Sequence, residues 1–188
     1  MVSDKQQEIL KAALRLFVES GFHGTPTSRI AKEAGVANGT LFHYYKTKDE
    51  LIVALYSNIK GKLNERMHAG TRPEATFKEN LKIIYANTLE WAIEHKEEFY
   101  FVQQFNTSPF LSLIAPEEIS RQTKPHLELL ESAIQQKIFR RLPAELIFVL
   151  LNNHIYGMSQ YIHNIQAGTT QKKQLINDSF DLLWRMLT

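Results

Sequence analysis

The sequence predicts an all-α protein in which a three-helix head is joined by a long helix to an all-helical body. Apolar residues recur at helical spacing from the start, as at Leu10, Ala13, Leu14 and Phe17, and no sustained apolar–polar alternation indicates strands. Glycine and proline residues divide the chain into segments of helical length. With 188 residues, of which 44% are hydrophobic and 22% charged, the chain can form one compact domain or two small ones.

The first two helices are expected to begin and end at residues that favour a cap or a turn. Ser3 can cap the first helix, and Gly21 can end it in the left-handed conformation. Thr25 can cap a second helix that has Pro26 at its first position, where a missing N–H costs nothing. This second helix is expected to end at Ala34.

A break at Gly35 separates the second helix from a third, expected at roughly residues 38–45. In this third helix Leu41 and Tyr45, one turn apart, are expected to face the first two helices. A helix that enters the major groove of DNA needs one anchored side and one side with donors and acceptors for bases and phosphates. The residues that can provide this second side are Asn38, Gly39, Thr40, His43, Tyr44, Lys46 and Lys48.

Charge favours the same interpretation of the head. Residues 1–48 carry seven Lys and Arg residues against four acidic ones, whereas the remaining residues carry fifteen against sixteen. A mildly basic head on a nearly neutral body suits a head that meets phosphate. The alternative is that the aromatic residues of the third helix are plain core and that the charges only form a solvated face.

The body is expected to consist of long helices. Thr47-Lys48-Asp49-Glu50 is a capping box that starts a fourth helix running toward Met67. Gly70 and Pro73 interrupt that helix, and later helices are expected at roughly 74–95, 97–106, 116–138, 143–167 and 171–187. We therefore expect a helix-turn-helix DNA-binding domain at residues 1–48 and a helical effector-binding and dimerisation domain at residues 49–188.

Residues 9–51 also carry a family resemblance. The shared residues are Ala12, Ala13, Leu16, Phe17, Gly21, Phe22, Thr25, Ile30, Ala31, Ala34, Gly35, Val36, Gly39, Thr40, Leu41, Tyr44, Tyr45, Lys46, Lys48 and Leu51. This ordered set resembles the DNA-binding domain of the TetR (tetracycline repressor) family of bacterial transcriptional regulators. The resemblance covers about a quarter of the chain and is far more specific than a generic helix-turn-helix pattern.

The resemblance implies roles for individual residues of the head. Thr27 would contact phosphate near the start of the second helix, and residues 38–40 would open the recognition helix. His43 falls at a base-reading position, whereas Tyr44 and Lys48 fall at phosphate-contacting positions.

Three residues depart from the common pattern of the family. Ala37 replaces a serine or threonine and removes a capping hydroxyl, so Asn38 is expected to take over the cap. Phe42 replaces a common tyrosine, and Pro26 replaces a common threonine or serine.

Two copies of the chain are expected, because one recognition helix contacts too few base pairs for a specific site. The last two helices carry apolar and small residues at helical spacing, and the resemblance likewise implies that they pair with their copies in a four-helix interface. The expected interface residues are Leu150, Asn153, Gly157, Tyr161, Phe180, Leu183 and Trp184. The alternative is that these helices only close the core of the monomer.

Large aromatic side chains and amides in the body, taken together with the resemblance of the head to the TetR family, predict a pocket for a small, largely apolar effector. The expected lining residues are Tyr85, Trp91, Phe101, Gln104, Phe105, Phe110 and Met158. An aromatic stripe at helical spacing is more often plain core, and for any single residue core is the favoured alternative.

Other classes of function find little support. The chain has no cysteine, its histidines show no ligand spacing, and no phosphate loop or catalytic constellation is present. We therefore expect that the protein is not an enzyme, binds no cofactor and has no metal site. His154 is expected to be a core or interface residue whose hydrogen bonds are satisfied. No apolar run reaches membrane-spanning length, so we expect a cytoplasmic protein. The function predicted from the head and the body is that of a homodimeric repressor, which binds a palindromic double-stranded DNA operator and is released by an effector. The alternative is a helical protein–protein interaction module with a degenerate helix-turn-helix.

Overall fold

The computed structural model of the chain describes residues 4–188, and within these residues it contains helices and no strands. The helices are α1 (Asp4–Ser20), α2 (Thr27–Glu33), α3 (Asn38–Tyr44), α4 (Lys48–Met67), α5 (Phe77–Glu94), α6 (Lys96–Asn106), a 3-10 helix (Pro109–Leu113), α7 (Pro116–Gln135), α8 (Ala144–Asn164) and α9 (Thr169–Leu187). The all-α prediction is confirmed. No helix in this described part is both long and apolar enough to cross a bilayer.

The boundary between α1 and α2 differs from the prediction, and Ser3 lies outside the described residues. Pro26 has extended backbone and precedes α2, so it does not occupy the first helical position. The hydroxyl of Thr25 donates to the carbonyls of Leu16 at 3.0 Å and Gly21 at 2.8 Å. Thr25 therefore stabilises the C-terminal end of α1 and does not cap α2, so the predicted cap is wrong.

The start of α5 is set by a capping box that the sequence reading missed. Thr76 Oγ1 accepts a hydrogen bond from Glu79 N at 3.2 Å, and Glu79 Oε2 accepts one from Thr76 N at 2.8 Å. The hydroxyl of Thr76 also donates to Glu79 Oε2 at 2.7 Å, and this bond, together with the one from Thr76 N, holds the pKa of Glu79 below its usual value. The helix consequently begins at Phe77 and not at residue 74. Further along the chain, α7 ends at Gln135 and not at residue 138, because Lys137 takes a left-handed conformation with φ of 60°.

The chain forms two compact units. Unit 1 contains the residues up to Lys62 together with His95–Ala115, and unit 2 contains Leu63–Glu94 together with Pro116–Thr188. Helix α4 contributes residues to both units. Unit 1 is therefore larger than the three-helix head, because it also holds α6 and the 3-10 helix.

Aromatic side chains form the core that joins α6 to α1 in unit 1. The ring of Phe22 lies 5.4 Å from Phe17, 5.6 Å from Phe101 and 5.0 Å from Phe110. Phe17 and Phe101 have no exposed surface. Burial of such a side chain contributes about 1.5–3 kcal/mol, so this cluster fixes α6 firmly against α1.

The core of unit 2 lies where α5, α8 and α9 pack together. Tyr85 is buried, and its hydroxyl lies 2.8 Å from Ser179 Oγ. Ser179 Oγ donates its own hydrogen to the carbonyl of Ile176 at 3.1 Å, so Tyr85 donates to Ser179. Burial raises the pKa of Tyr85 to about 12, and this phenol therefore stays protonated.

His154 lies beside this hydroxyl pair, with its ring centroid 5.8 Å from that of Tyr85. Its Nε2 atom is shielded from solvent and has no hydrogen-bond partner among the described residues. The expectation of a satisfied core histidine is therefore wrong for this nitrogen. Burial lowers the pKa of His154, although a hydrogen bond to the backbone of Ser179 raises it in part.

Acid should destabilise the fold through His154. Because its pKa in the folded chain lies below the ordinary value of 6.5, the unfolded chain binds a proton first as the pH falls. We expect this contribution to the free energy of unfolding to be fully present above pH 6.5 and to be lost between 6.5 and the lower folded-state pKa. Urea unfolding from about pH 5 to 8 measures the effect. His154→Phe should flatten the decline and His163→Phe should not, whereas equal declines in all three proteins would contradict the assignment.

Candidate functional site

The turn between α2 and α3 has the geometry that a helix-turn-helix requires. Val36 N donates to the carbonyl of Ala31 at 3.0 Å, and Gly35 N donates to that of Lys32 at 3.2 Å. These two bonds form a Schellman motif, in which the residue after the cap takes the left-handed conformation. Gly35 has φ of 66°, so a glycine is needed at this turn.

The inner side of α3 is anchored in the head. Leu41 has no exposed surface and Tyr45 is 5% exposed. Gln6 of α1 donates from Nε2 to the hydroxyl of Tyr45 at 3.2 Å. Desolvation raises the pKa of Tyr45, which therefore keeps its hydroxyl proton. Helix α3 ends at Tyr44, one residue earlier than predicted, and Tyr45 is already extended.

The opposite side of α3 is open to solvent. Asn38, Gly39, Phe42 and His43 are exposed, and Thr40 and Tyr44 are partly buried. A Cβ atom at Gly39 would meet nothing within 4 Å, so packing within the chain does not demand glycine at this position. The residues predicted to read DNA are therefore accessible, as a groove-binding helix requires.

The caps around α3 agree only in part with the prediction. Ala37 is the N-cap of α3 and no side chain caps this helix, so the expectation that Asn38 takes over the cap is wrong. The capping box of α4 is confirmed for the Thr47 hydroxyl, but the Glu50 carboxylate bonds the residue before the cap and not Thr47 itself. Glu50 N donates to Thr47 Oγ1 at 3.0 Å, while Glu50 Oε2 accepts from Lys46 N at 2.7 Å.

The remaining predicted DNA contacts flank α3. Thr27 is the first residue of α2 and is partly buried, and Lys46 is exposed directly after α3. Lys48 is the first residue of α4, where partial burial lowers its pKa against the opposing effect of Asp49. All three residues keep solvent-exposed surface, so their donors are accessible.

The basic side chains of unit 1 fall into two groups, those that form an ion pair and those that do not. Arg15 pairs with Glu33, Arg29 with Glu19 at 3.0 Å, and Lys11 with Glu8 at 2.8 Å. In the described part of the chain, neither Lys46 nor Lys48 forms an ion pair, nor does Lys32. These three lysines and Lys5 of α1 form no ion pair within residues 4–188, so they are cations of the head that remain available to phosphate.

A surface cleft of about 400 Å³ lies on unit 1 among α1, α2 and α6. Its lining residues are Arg15, Leu16, Val18, Glu19, Arg29, Glu33 and Glu97. Charged walls of this kind do not suit a largely apolar effector.

The predicted effector residues are divided between the two units. Phe101, Gln104, Phe105 and Phe110 belong to unit 1, and Tyr85, Trp91 and Met158 belong to unit 2. Phe101 and Phe105 are fully buried, and Phe105 stacks on Tyr56 with ring centroids 4.0 Å apart. These two residues have the core role that the alternative reading predicts. Gln104 Oε1 is buried without a hydrogen-bond partner among residues 4–188.

The predicted dimer residues also divide into two groups. Asn153, Gly157 and Tyr161 are exposed on α8, and Leu150 and Trp184 are partly buried. Phe180 is 1% exposed and Leu183 is 2% exposed, so both are core residues of unit 2 and their placement at an interface is wrong. The exposed apolar side chains of the two helices are instead Leu146, Val149, Tyr161, Ile165, Leu182 and Met186.

A metal site finds no geometric basis within residues 4–188, where no three His, Asp or Glu side chains are grouped to hold an ion.

Comparison with known proteins bears on the head and on the whole fold. Residues 9–55 match the family model described as bacterial regulatory proteins, tetR family. The structure of a tetR family transcription regulator from Shewanella sp. PV-4 superposes with a TM-score of 0.87 at 27% identity, over 98% of both chains.

Two relatives from Bacillus subtilis (strain 168) are similar in sequence. The fatty acid metabolism regulator protein is 38% identical over 80 residues, which are 43% of this chain and 41% of the relative. The chain therefore spans less than half the length of this curated relative. The uncharacterized HTH-type transcriptional regulator YhgD is 24% identical over 73% of this chain and 71% of its own length.

The head of this protein thus has the sequence, turn geometry and accessible helix of the domain that the family model describes. Residues 9–55 carry the amino-terminal domain of the tetR family of bacterial regulatory proteins, and the fold of the whole chain is similar to that of a tetR family transcription regulator.

Proposed function

We propose that this protein is a homodimeric repressor that binds a palindromic operator and is released by a small, largely apolar effector. The observation that carries the proposal is the outer side of α3, which is accessible while Leu41 and Tyr45 are buried. In this proposal residues 1–48 contact DNA, and residues 49–188 bind the effector and the second subunit. A bacterial regulator of this kind acts in the cytoplasm.

The reading face, as we define it, consists of Thr27, Asn38, Gly39, Thr40, His43, Tyr44, Lys46 and Lys48. His43 is exposed at the middle of α3 and is the side chain proposed to meet base edges in the major groove. Tyr44, Thr27 and the lysines contact phosphates, which fix the register of the protein on the duplex but carry no sequence information.

The second subunit is proposed to bind at the α8–α9 apolar face, which consists of Leu146, Val149, Tyr161, Ile165, Leu182 and Met186 with Leu150, Asn153, Gly157 and Trp184 beside them. A group of exposed apolar side chains on two neighbouring helices is typical of an interface. A Cβ atom at Gly157 would meet nothing within 4 Å, which leaves room for a partner helix to approach. A two-fold dimer presents two copies of α3 about 34 Å apart, or a longer in-phase distance, to a near-palindrome.

The effector is proposed to bind in unit 2, where Tyr85 and Trp91 are buried and Met158 is partly buried. The B. subtilis relative is named as a regulator of fatty acid metabolism, and molecules of that metabolism carry long apolar chains. The effector must bind the DNA-incompetent conformation more tightly, and DNA must weaken effector binding by the same factor. Helix α4 contributes to both units and is the proposed lever.

Substitutions on the reading face should separate affinity from specificity. Tyr44→Ala and Lys46→Ala should weaken binding to every duplex, whereas His43→Ala should change the preferred sequence. Lys46→Ala removes one cation per subunit, so the slope of log affinity against log salt should become less steep by about 2 for the dimer.

The measurement is fluorescence anisotropy with a duplex selected from a random pool and with an unrelated duplex, over a range of salt concentrations. Lys62→Ala, an exposed lysine of unit 1 outside the reading face, is the matched control and should leave both duplexes unaffected. Identical effects of His43→Ala and Lys46→Ala on the two duplexes would refute the assignment, and so would affinity that does not respond to salt.

A charge on the α8–α9 apolar face should dissociate the dimer. Leu182 is 61% exposed, so Leu182→Arg leaves the core intact but buries an unpaired cation at the interface. We expect a folded monomer in sedimentation equilibrium, with the loss of tight binding to the selected palindrome. Leu129→Arg on α7, at a residue 40% exposed, is the control and should stay dimeric. A Leu182→Arg protein that remains a dimer would show that the interface lies elsewhere.

A further inference from the structure

The Nε2 atom of His154 is a buried polar atom that the chain itself leaves without a partner. It lies on α8, facing the junction of α5 and α9, where its ring is 5.8 Å from that of Tyr85. Most buried polar atoms in folded proteins have a hydrogen-bond partner, because an unsatisfied one forfeits the hydrogen bonds it would make in water. A group that supplies the missing partner would therefore gain binding free energy at this atom.

The other ring nitrogen determines which partner Nε2 needs. The hydrogen bond between His154 and the backbone of Ser179 raises the pKa of His154. A bond that raises the pKa stabilises the protonated ring, so the ring donates to the carbonyl of Ser179. Since Nε2 is unpartnered, the donor is Nδ1, and Nδ1 carries the hydrogen of the neutral ring. Nε2 consequently presents a lone pair and needs a donor.

The neighbouring polar groups do not supply that donor. The hydroxyl of Tyr85 donates to Ser179 Oγ, and the hydroxyl of Ser179 donates to the carbonyl of Ile176. Two apolar side chains lie in the same part of unit 2. The ring of Phe180 lies 5.5 Å from that of Tyr85, and Met158 follows His154 by one helical turn, where its flexible side chain can adjust to a guest.

We propose that unit 2 binds a small, mostly apolar molecule through a hydroxyl or N–H group that donates a hydrogen bond to Nε2 of His154. This inference rests on the proposed function, because it names the polar group of the effector proposed above. It also gives His154 a positioning and recognition role. A neutral lone pair favours alcohols and amides, but it gains no hydrogen bond from an ether and is repelled by a carboxylate.

The test compares three probes that share an eight-carbon chain and differ at one end: 1-octanol, methyl octyl ether and octanoate. In calorimetric titrations of the full-length protein, 1-octanol should bind about tenfold more tightly than methyl octyl ether. His154→Phe keeps a ring but removes the acceptor, so this preference should disappear. His163→Phe, an exposed histidine of the same helix, is the matched control and should keep it.

A second readout does not depend on any variant. In ¹⁵N-labelled wild-type protein, 1-octanol should shift the Nε2 resonance of His154 towards that of a hydrogen-bonded nitrogen, and methyl octyl ether should leave it in place. The inference is overturned if the alcohol and the ether bind equally, if octanoate binds best, if none of the three binds, or if the Nε2 resonance does not move with 1-octanol.

Operator binding distinguishes this inference from the proposed function. One outcome is that 1-octanol binds more tightly than the ether only when His154 is present, while saturating 1-octanol leaves operator affinity unchanged. This outcome would support the binding site and overturn the proposal that the effector releases the protein from DNA. Conversely, a protein that binds its operator but shows no preference for the alcohol would overturn only the site. If both proposals hold, 1-octanol lowers operator affinity, and the operator lowers 1-octanol affinity by the same factor.

Discussion

The orientation of α3 depends on one constraint, which is the burial of Leu41 and Tyr45 against the first two helices. Leu41 lies within a helix only seven residues long, and Tyr45 follows its last residue directly, so that both side chains are buried on the inner side. A helix this short has little stability of its own, so the tertiary anchor holds it in place. The left-handed turn at Gly35 fixes the direction from which α3 leaves α2. Because the inner side is buried, the side that carries His43 is the one that remains accessible to a partner.

Packing of aromatic side chains also places elements other than the three-helix head in unit 1. Phe22, directly after the turn at Gly21, contacts rings of both α6 and the 3-10 helix, so these elements belong to the same compact unit as the DNA-binding domain. A domain boundary drawn from sequence follows motifs along the chain, whereas a compact unit follows contacts in space. Any change transmitted to the head must therefore involve a larger body than the three-helix motif.

The sequence predicted features that depend on local chemistry. The left-handed glycines, the capping box at Thr47 and the inner side of α3 are all determined by residues a few positions apart. It could not predict features that depend on partners from distant segments. Helical periodicity does not distinguish the side of α9 that packs on its own core from the side left exposed, so Phe180 and Leu183 were assigned to the wrong side. The lone pair of His154 is inferred from the bond between its ring and the backbone of Ser179, a partner from a distant segment that the sequence pattern does not indicate.

The central claim is that the outer side of α3 meets DNA. Hydroxyl-radical footprinting of the protein, with and without its selected operator, tests this most directly because oxidation of a side chain reports its exposure. Phe42 is 40% exposed and Tyr100 of α6 is 37% exposed, so the two start from similar accessibility. The account predicts that operator protects Phe42 and His43 from oxidation and leaves Tyr100 unchanged. Protection of Tyr100 without protection of Phe42 and His43 would contradict it.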